Sequence, residues 1–260
     1  MITHYRTQAF VFKKEDRQEA DRIFTLFTRD FGRVEVTARA IRRLASKLRS
    51  GIEIFSLSEI EFIQSNYRNT LTDAIKIGKL PDIPLVPEKI EIANKVSAIV
   101  DNFIGGQETD QKIWDLLVDF FQKLNDCRFP NTNYHVVYFY FFWNFIAVLG
   151  YGPQLLQCAH CSQALNPANL YFSNKEGGVI CLMCVKSDNQ SQRIHQDVVK
   201  ILRIILSSQN GVLLAGKNIP VGGWEIILKL KIEKNHQESL ELISKQYGDY
   251  VLSLGGYKLW

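Results

Sequence analysis

Four of the five cysteines form two closely spaced pairs. Cys158 and Cys161 are separated by two residues, 19 residues follow, and Cys181 and Cys184 repeat the same spacing. Two C-x2-C units at this separation are typical of structural zinc sites, because each tight turn directs two thiolates at one ion. The second pair then completes a tetrahedron of sulfur ligands. The spacing therefore predicts a Zn²⁺ site with four cysteine ligands.

Other interpretations of the cysteines remain open at this point. The four thiols could form two disulfides or stay unconnected, and His160 could replace one cysteine as a ligand. The start of the sequence shows no secretory signal, so we expect a cytoplasmic chain, in which disulfides are disfavoured. Four thiolates would leave no open coordination position, so the metal is expected to stabilise the fold and not to catalyse a reaction.

A basic stretch is the second feature with evident chemistry. The first 80 residues hold 15 Lys or Arg against 10 Asp or Glu, whereas the rest of the chain holds 16 against 17. Placed on a helix, Ala38–Arg49 separates into one apolar and one basic side, which would present a row of cations to a phosphate backbone. The predicted DNA-binding residues are Arg33, Arg39, Arg42, Arg43, Lys47 and Arg49.

The elements around these two features predict an α+β fold. Residues 1–80 contain five short runs of β-branched and aromatic residues, which favour an OB-fold barrel. Three prolines mark residues 81–87 as a linker, and helical periodicity follows over residues 88–260, with a loop-like zinc segment at residues 150–190. The predicted strands are Ala9–Phe12, Arg22–Thr28, Arg33–Thr37, Ile52–Ile63 and Thr70–Ile77, and the predicted helices are Glu88–Phe103, Thr109–Asp126, Tyr134–Leu149 and Arg193–Ser207.

The predicted barrel helps to choose among the possible partners of the basic stretch. A charge run can be a solvated face, or an amphipathic helix on a membrane surface. Beside a barrel of the OB type, binding of nucleic acid is favoured, because such barrels hold single strands in a basic groove. No apolar run reaches the length of about 20 residues that a membrane-spanning helix needs.

Enzyme motifs are incomplete in this sequence. Gly211–Asn218 resembles a phosphate-binding loop, but Asn218 replaces the hydroxyl residue that would hold Mg²⁺. His236–Glu238 supplies the H-x-E of zinc deaminases but follows the cysteines instead of preceding them. With 46% hydrophobic and 22% charged residues the chain is expected to fold, and a non-enzymatic role is favoured.

Taken together, these motifs resemble the RecO family of bacterial recombination mediators. At Ala40 and Ser162 the sequence departs from the family, which usually has glycine at both positions. The resemblance covers the chain to about Cys184 and rests on three elements. They are Phe27–Val34 with Thr37–Arg43 and Ser46–Arg49, then Leu149–Pro153 followed by the first cysteine pair, then Phe172-Ser173 and Gly177–Cys184.

The resemblance implies a function that the composition alone does not give. It implies an N-terminal OB-fold, a helical domain with an embedded zinc segment, and association with the bacterial nucleoid. It further implies binding to single- and double-stranded DNA, annealing of complementary strands, and assistance in loading RecA. The implied partners are RecR and the acidic C-terminal tail of single-strand-binding protein. A zinc-containing interaction adaptor and an OB-fold RNA-binding protein are the alternatives.

Overall fold

A computed structural model describes residues 3–65, 68–78, 80–106, 109–126, 134–210 and 227–255. The chain divides into two compact units, Met1–Cys127 and Arg128–Trp260. The loop-like motif Gly211–Asn218 lies outside the described residues. None of the helices in the described ranges is long and apolar enough to cross a membrane.

The first unit begins with five strands that close on themselves. They are β1 (Thr3–Arg17), β2 (Asp21–Thr28), β3 (Gly32–Ala38), β4 (Leu57–Gln64) and β5 (Asn69–Gly78). Their order in the closed barrel is β1-β2-β3-β5-β4, with β1 antiparallel to both β2 and β4 and a short parallel pairing of β3 with β5. Each of the five runs predicted as strands contains a strand. Four of the strands are longer than predicted, whereas the run Ile52–Ile63 is strand only from Leu57 onward.

Alternation along β1 explains why this strand anchors the unit. Ala9 and Val11 belong to the barrel core, with Phe24, Leu26 and Ile60 among the other members. Phe10 and Phe12 point to the opposite face, as expected for a period of two residues, and both are buried. A strand that is covered on both faces needs a second layer outside the barrel.

Two helices in the same unit supply that layer. These are α1 (Pro87–Phe103) and α2 (Gln111–Asp126), close to the predicted bounds. The ring of Phe10 lies 5.6 Å from Trp114 and 4.9 Å from Phe121 of α2. The boundary between the compact units therefore lies beyond α2, whereas the proline-rich segment at 81–87 precedes α1 and was expected to separate the barrel from all the helices.

The described part of the second unit contains three long helices and a small sheet. The helices are α3 (Tyr134–Ile146), α4 (Gln196–Asn210) and α5 (Lys234–Leu254), and the sheet has the order β7-β6-β8 from β6 (Leu170–Ser173), β7 (Gly178–Cys181) and β8 (Gln192–Arg193). The sequence pattern predicted α3 and α4 and left the region of α5 ambiguous.

Helix α3 is apolar on all sides and is the centre of this unit. Such a helix is stable only when neighbours cover it all round. Trp143 stacks on Tyr247 of α5 at 5.6 Å and meets the edge of Phe172 of β6 at 6.0 Å. Asn144, also buried, donates from Nδ2 to the carbonyl oxygens of Tyr140 and Ile205. The small sheet is therefore fixed to the helices through Phe172.

The predicted helix over Ala38–Arg49 is wrong. The segment that follows β3 is a series of turns that ends in one 3-10 turn over Lys47–Ser50. Ala40 has a φ of 53°, which no α-helix accommodates, and Leu44 is 92% exposed although the helical pattern assigned it to the apolar side. Ile41 alone of that apolar set is buried. The tertiary contacts of β3 thus override a helical pattern.

Candidate metal centre and nucleic-acid interface

The four paired cysteines converge at one point of the second unit. Their sulfur atoms lie within 4.8 Å of one another. The Sγ atoms of Cys161 and Cys181 are 3.9 Å apart, and those of Cys181 and Cys184 are 3.6 Å apart. Four sulfurs bound at 2.3 Å in a tetrahedron are separated by roughly 3.8 Å. The cluster therefore has the donor set and the spacing of a closed metal site.

Local backbone geometry brings the two pairs together. Cys181 ends β7, and Cys184 lies in the 3-10 turn that follows. Gly177, with φ +65°, ends the turn of the β6–β7 hairpin. At Gly178 a Cβ atom would lie 2.3 Å from the carbonyl oxygen of Gln154, so the segment leading to the first pair can approach only a glycine. There the backbone N–H of Val179 donates to the carbonyl oxygen of Gln154 at 2.8 Å.

The surroundings shift the pKa values of two of the thiols in opposite directions. Burial alone raises the pKa of the Cys158 thiol, but backbone N–H groups of Cys161, Cys181 and His160 bring that pKa down to about 6. At Cys184 burial and the three other thiols raise the pKa above its ordinary value. The Cys158 sulfur is thus prepared as a thiolate by N–H donors, whereas the Cys184 thiol needs a cation to lose its proton.

His160 does not lie among the sulfur ligands. Its Nδ1 is 3.3 Å from Oε2 of Glu176, and the metal-competent group consists of the four cysteines. All four are free thiols, which leaves the alternative of two disulfides without support. The spacing of the sequence pairs therefore predicted which four cysteines converge.

The six predicted DNA-binding residues fall into two groups. Arg33 lies on β3, where its Nε is 2.5 Å from Asp101 Oδ1 of α1 and its Nη2 is 3.1 Å from Glu35. Partial burial lowers the pKa of this guanidinium, but the hydrogen bond and charge of Asp101, together with Glu35, outweigh burial and raise it. Arg42 lies 3.7 Å from Asp16. These two arginines are engaged by carboxylates of the protein.

The other four cations lie in the turns after β3. In the described part of the chain their side chains form no ion pair and no hydrogen bond, and all four residues are exposed. We call this segment, residues 39–49, the basic turn. Its unpaired cations are Arg39, Arg43, Lys47 and Arg49.

The basic turn packs beside the hairpin of β1 and β2. The Arg42 N–H donates to the carbonyl of Ala20, and the Ala40 N–H donates to Asp21 Oδ1. A cleft of about 170 Å³ lies at this junction, lined by Lys14, Arg22 and Arg49 with Ile41, Ile52 and Glu53. Because β1 is distant from the basic turn in sequence, the sequence reasoning missed Lys14. Arg22 is engaged by Asp16, with Nε 2.6 Å from Oδ1.

The chain was then compared with known protein families. The family model described as Recombination protein O N terminal matches residues 1–77, and the model described as Recombination protein O C terminal matches residues 86–216. The chain belongs to the RecO family. The gap between the two models falls at the predicted proline linker, although the compact units divide further along the chain.

Curated relatives carry the same family name, and the similarity to them covers most of both chains. The chain is 28% identical over 248 residues to DNA repair protein RecO of Dehalococcoides mccartyi, which covers 95% of this chain and 90% of that protein. It is 25% identical over 252 residues to DNA repair protein RecO of Pelotomaculum thermopropionicum, covering 95% and 89%. The similarity to RecO therefore extends beyond Cys184, the end of the predicted resemblance.

Two departures of this RecO-family chain from the predicted pattern share one backbone conformation. Ala40, in the basic turn, has φ 53°, and Ser162, after the first cysteine pair, has φ 59°. Both lie in the left-handed region that glycine adopts at low cost. The turns thus keep the conformation that glycine would favour, at residues that carry a Cβ atom.

Proposed function

We propose that this RecO-family chain is a non-enzymatic DNA-binding mediator of recombinational repair. It binds single- and double-stranded DNA, anneals complementary strands and, together with RecR, assists the loading of RecA. The observation that carries the proposal is the basic turn, in which Arg39, Arg43, Lys47 and Arg49 are exposed and unpaired in the described part of the chain.

The energetics of phosphate binding support this assignment. An arginine already paired with a carboxylate must lose that partner before it can bind a phosphate, whereas an exposed and unpaired arginine loses only water and counterions. The five-stranded barrel holds the basic turn against the β1–β2 hairpin, where Lys14 adds a further cation. We assign this barrel to the OB type, whose members bind single strands by a basic groove.

The zinc ion proposed for the four-cysteine cluster has a supporting role. Bound there, it would neutralise the thiolates and stabilise the segment that connects α3 with α4. The residues that would hold it are Cys158, Cys161, Cys181 and Cys184, and with four sulfurs no position is left for a substrate. The sulfur separations and the N–H donors at Cys158 support zinc at this place.

The acidic tail of single-strand-binding protein is the proposed protein partner of the second unit. A groove of about 270 Å³ on this unit is lined by apolar residues that include Leu156, Leu165 and Val199. Lys200 and Arg203 line it as well. The Lys200 side chain is 58% exposed and paired with Asp197, so a carboxylate of an incoming peptide would take the place of that partner. An acidic segment with apolar side chains fits this combination.

Strand annealing in the presence of single-strand-binding protein tests the proposal. Complementary oligonucleotides coated with intact single-strand-binding protein should anneal faster when the chain is added. Deleting the acidic tail of that protein should reduce the acceleration, while bare strands should still anneal. If the chain accelerates neither reaction and binds no unstructured oligonucleotide at physiological salt, it is an interaction adaptor. A preference for RNA of the same sequence would instead favour the RNA-binding alternative.

A further inference from the structure

Two histidines and an aspartate from distant parts of the chain meet in the second unit. His195 immediately precedes α4, Asp197 lies in its first turn, and His236 lies in the first turn of α5. One ligand atom from each lies within 4.8 Å of the other two. The imidazole rings of His195 and His236 are 4.8 Å apart between centroids and are inclined by 24°. Histidine and carboxylate donors converge here away from the cysteine cluster.

His195 Nδ1 lies close to two groups of Asp197. The backbone N–H of Asp197 is 3.3 Å from this nitrogen, and Oδ2 of its carboxylate is 3.4 Å from it. The single lone pair of Nδ1 can accept from the N–H, bind a proton or bind a metal ion, but only one of these at a time. A metal ion at Nδ1 would be shared with Oδ2 and would replace the long N–H contact.

The spacing suits a metal ion with short bonds. Nitrogen and oxygen ligands bound to zinc at 2.0–2.2 Å in a tetrahedron are separated by roughly 3.3 Å. The 3.4 Å between His195 Nδ1 and Asp197 Oδ2 already matches this value. His236 is half-buried, and its ligand atom, within 4.8 Å of the other two, would approach the ion by rotation of its side chain. The side chains of His195 and Asp197 are 54% and 42% exposed, so an ion can enter from solvent.

A neighbouring lysine fixes the orientation of the carboxylate. Lys200 Nζ lies 2.8 Å from Asp197 Oδ1, and the other oxygen, Oδ2, is the one that faces His195. Carboxylate ligands of metal sites are commonly held by such an outer hydrogen bond. The positive charge of Lys200 also reduces the attraction for a cation, so binding is expected to be weaker than at four thiolates.

We propose that His195, Asp197 and His236 form a second metal site that binds a divalent transition-metal ion, with zinc as the fitting ion. Imidazole nitrogen favours such ions over Mg²⁺ and Ca²⁺, which prefer oxygen ligands. His236 lies 41 positions after His195, so the ion links the start of α4 to the start of α5. The site is independent of the DNA-binding proposal.

Calorimetric titration of the full chain tests the site directly. The chain, without a polyhistidine tag and already carrying one zinc in the cysteine cluster, is titrated with Zn²⁺ in the presence of excess Mg²⁺. We expect one additional equivalent. His195→Ala and His236→Ala should each weaken it at least tenfold. His135→Ala is the matched control, because His135 also faces a glutamate, Glu241, at 3.1 Å, and it should change the affinity less than twofold.

The thermal stability gives a second readout. An ion that binds the folded chain raises its melting temperature, and the rise should occur in the unchanged chain and in His135→Ala but not in His236→Ala. Circular dichroism and retention of the first zinc establish that each variant is folded, and His236→Gln replaces His236→Ala if the latter is not. Absence of a second equivalent, or undiminished binding in both histidine variants, would overturn the proposal.

Discussion

Arg33 and Asp101 form an ion pair that joins β3 to α1, with Nε of the arginine 2.5 Å from Oδ1 of the aspartate. Both side chains are about 30% exposed, at 28% and 31%. The pair shows why position within a basic stretch does not by itself define a DNA contact. Arg33 belongs to the same sequence cluster as Arg39 and Arg43, yet it stabilises the first unit.

Arg33→Ala is therefore expected to reduce stability and leave DNA binding nearly unchanged. Loss of the partly buried pair, which leaves Asp101 without this partner, should lower the free energy of unfolding by about 1–2 kcal/mol. Chemical denaturation measures this loss of stability. Binding of an unstructured oligonucleotide at several salt concentrations measures the DNA affinity. A shallower salt dependence in this variant would place Arg33 in the DNA interface after all.

The zinc site predicts a stability effect confined to the second unit. Cys158→Ser should lower the zinc content from one equivalent and reduce the free energy of unfolding by about 3 kcal/mol or more, because the remaining thiolates lose their common cation. Elemental analysis and thermal melting measure the two effects. His160→Ala is the control and should retain one zinc, since His160 faces Glu176. A well-folded, metal-free chain contradicts the structural role.

Two of the residues with a left-handed backbone, Ala40 and Ser162, predict that glycine stabilises the chain. Ala40→Gly and Ser162→Gly should each raise the free energy of unfolding by about 0.5–1 kcal/mol, because relief at positive φ exceeds the entropy that glycine adds to the unfolded chain. Ala45→Gly is the control: Ala45 lies in the same turns, is exposed and has no positive φ, so it should lose stability slightly. Equal changes at positions 40 and 45 would contradict this account.

The groove of the second unit predicts a charge effect on peptide binding. Lys200→Gln should weaken binding of a synthetic acidic tail of single-strand-binding protein about fivefold, because one cation leaves the groove edge. Fluorescence anisotropy of the labelled peptide measures the affinity. Lys186→Gln removes another exposed charge, which lies outside the groove, and should have little effect. Equal losses in both variants would place the peptide elsewhere.

The elements that could be predicted from the sequence are those defined by local signals. Strands β1 to β5 follow from β-branched and aromatic runs, and α1 to α4 follow from apolar periodicity or length. The C-x2-C spacing predicted that the four cysteines lie together, because a tight turn fixes the relation between two cysteines that are separated by two residues. Each of these signals is contained in a short window of the chain.

The features that the sequence did not reveal depend on contacts between distant segments. The turns after β3 replaced the predicted helix because pairing of β3 in the barrel and the bonds of Ala40 and Arg42 to the β2 side fix that segment. Engagement of Arg33 by Asp101 and convergence of His195 with His236 join residues more than 40 positions apart. No pattern within one window reports such pairs.

The basic turn is the central claim, and the salt dependence of DNA affinity tests it most directly. Binding of an unstructured single strand is measured over a range of salt concentrations for the unchanged chain and for a variant with alanine at positions 39, 43, 47 and 49. The control carries alanine at Arg6, Lys13 and Lys76, each of which is paired with a glutamate.

Each lost phosphate contact reduces the slope of log affinity against log salt by about 0.7. If all four cations of the basic turn contact phosphate, the slope of the turn variant should be shallower by about 3, whereas the control should keep the original slope. A turn variant with the slope of the unchanged chain would show that the DNA binds elsewhere.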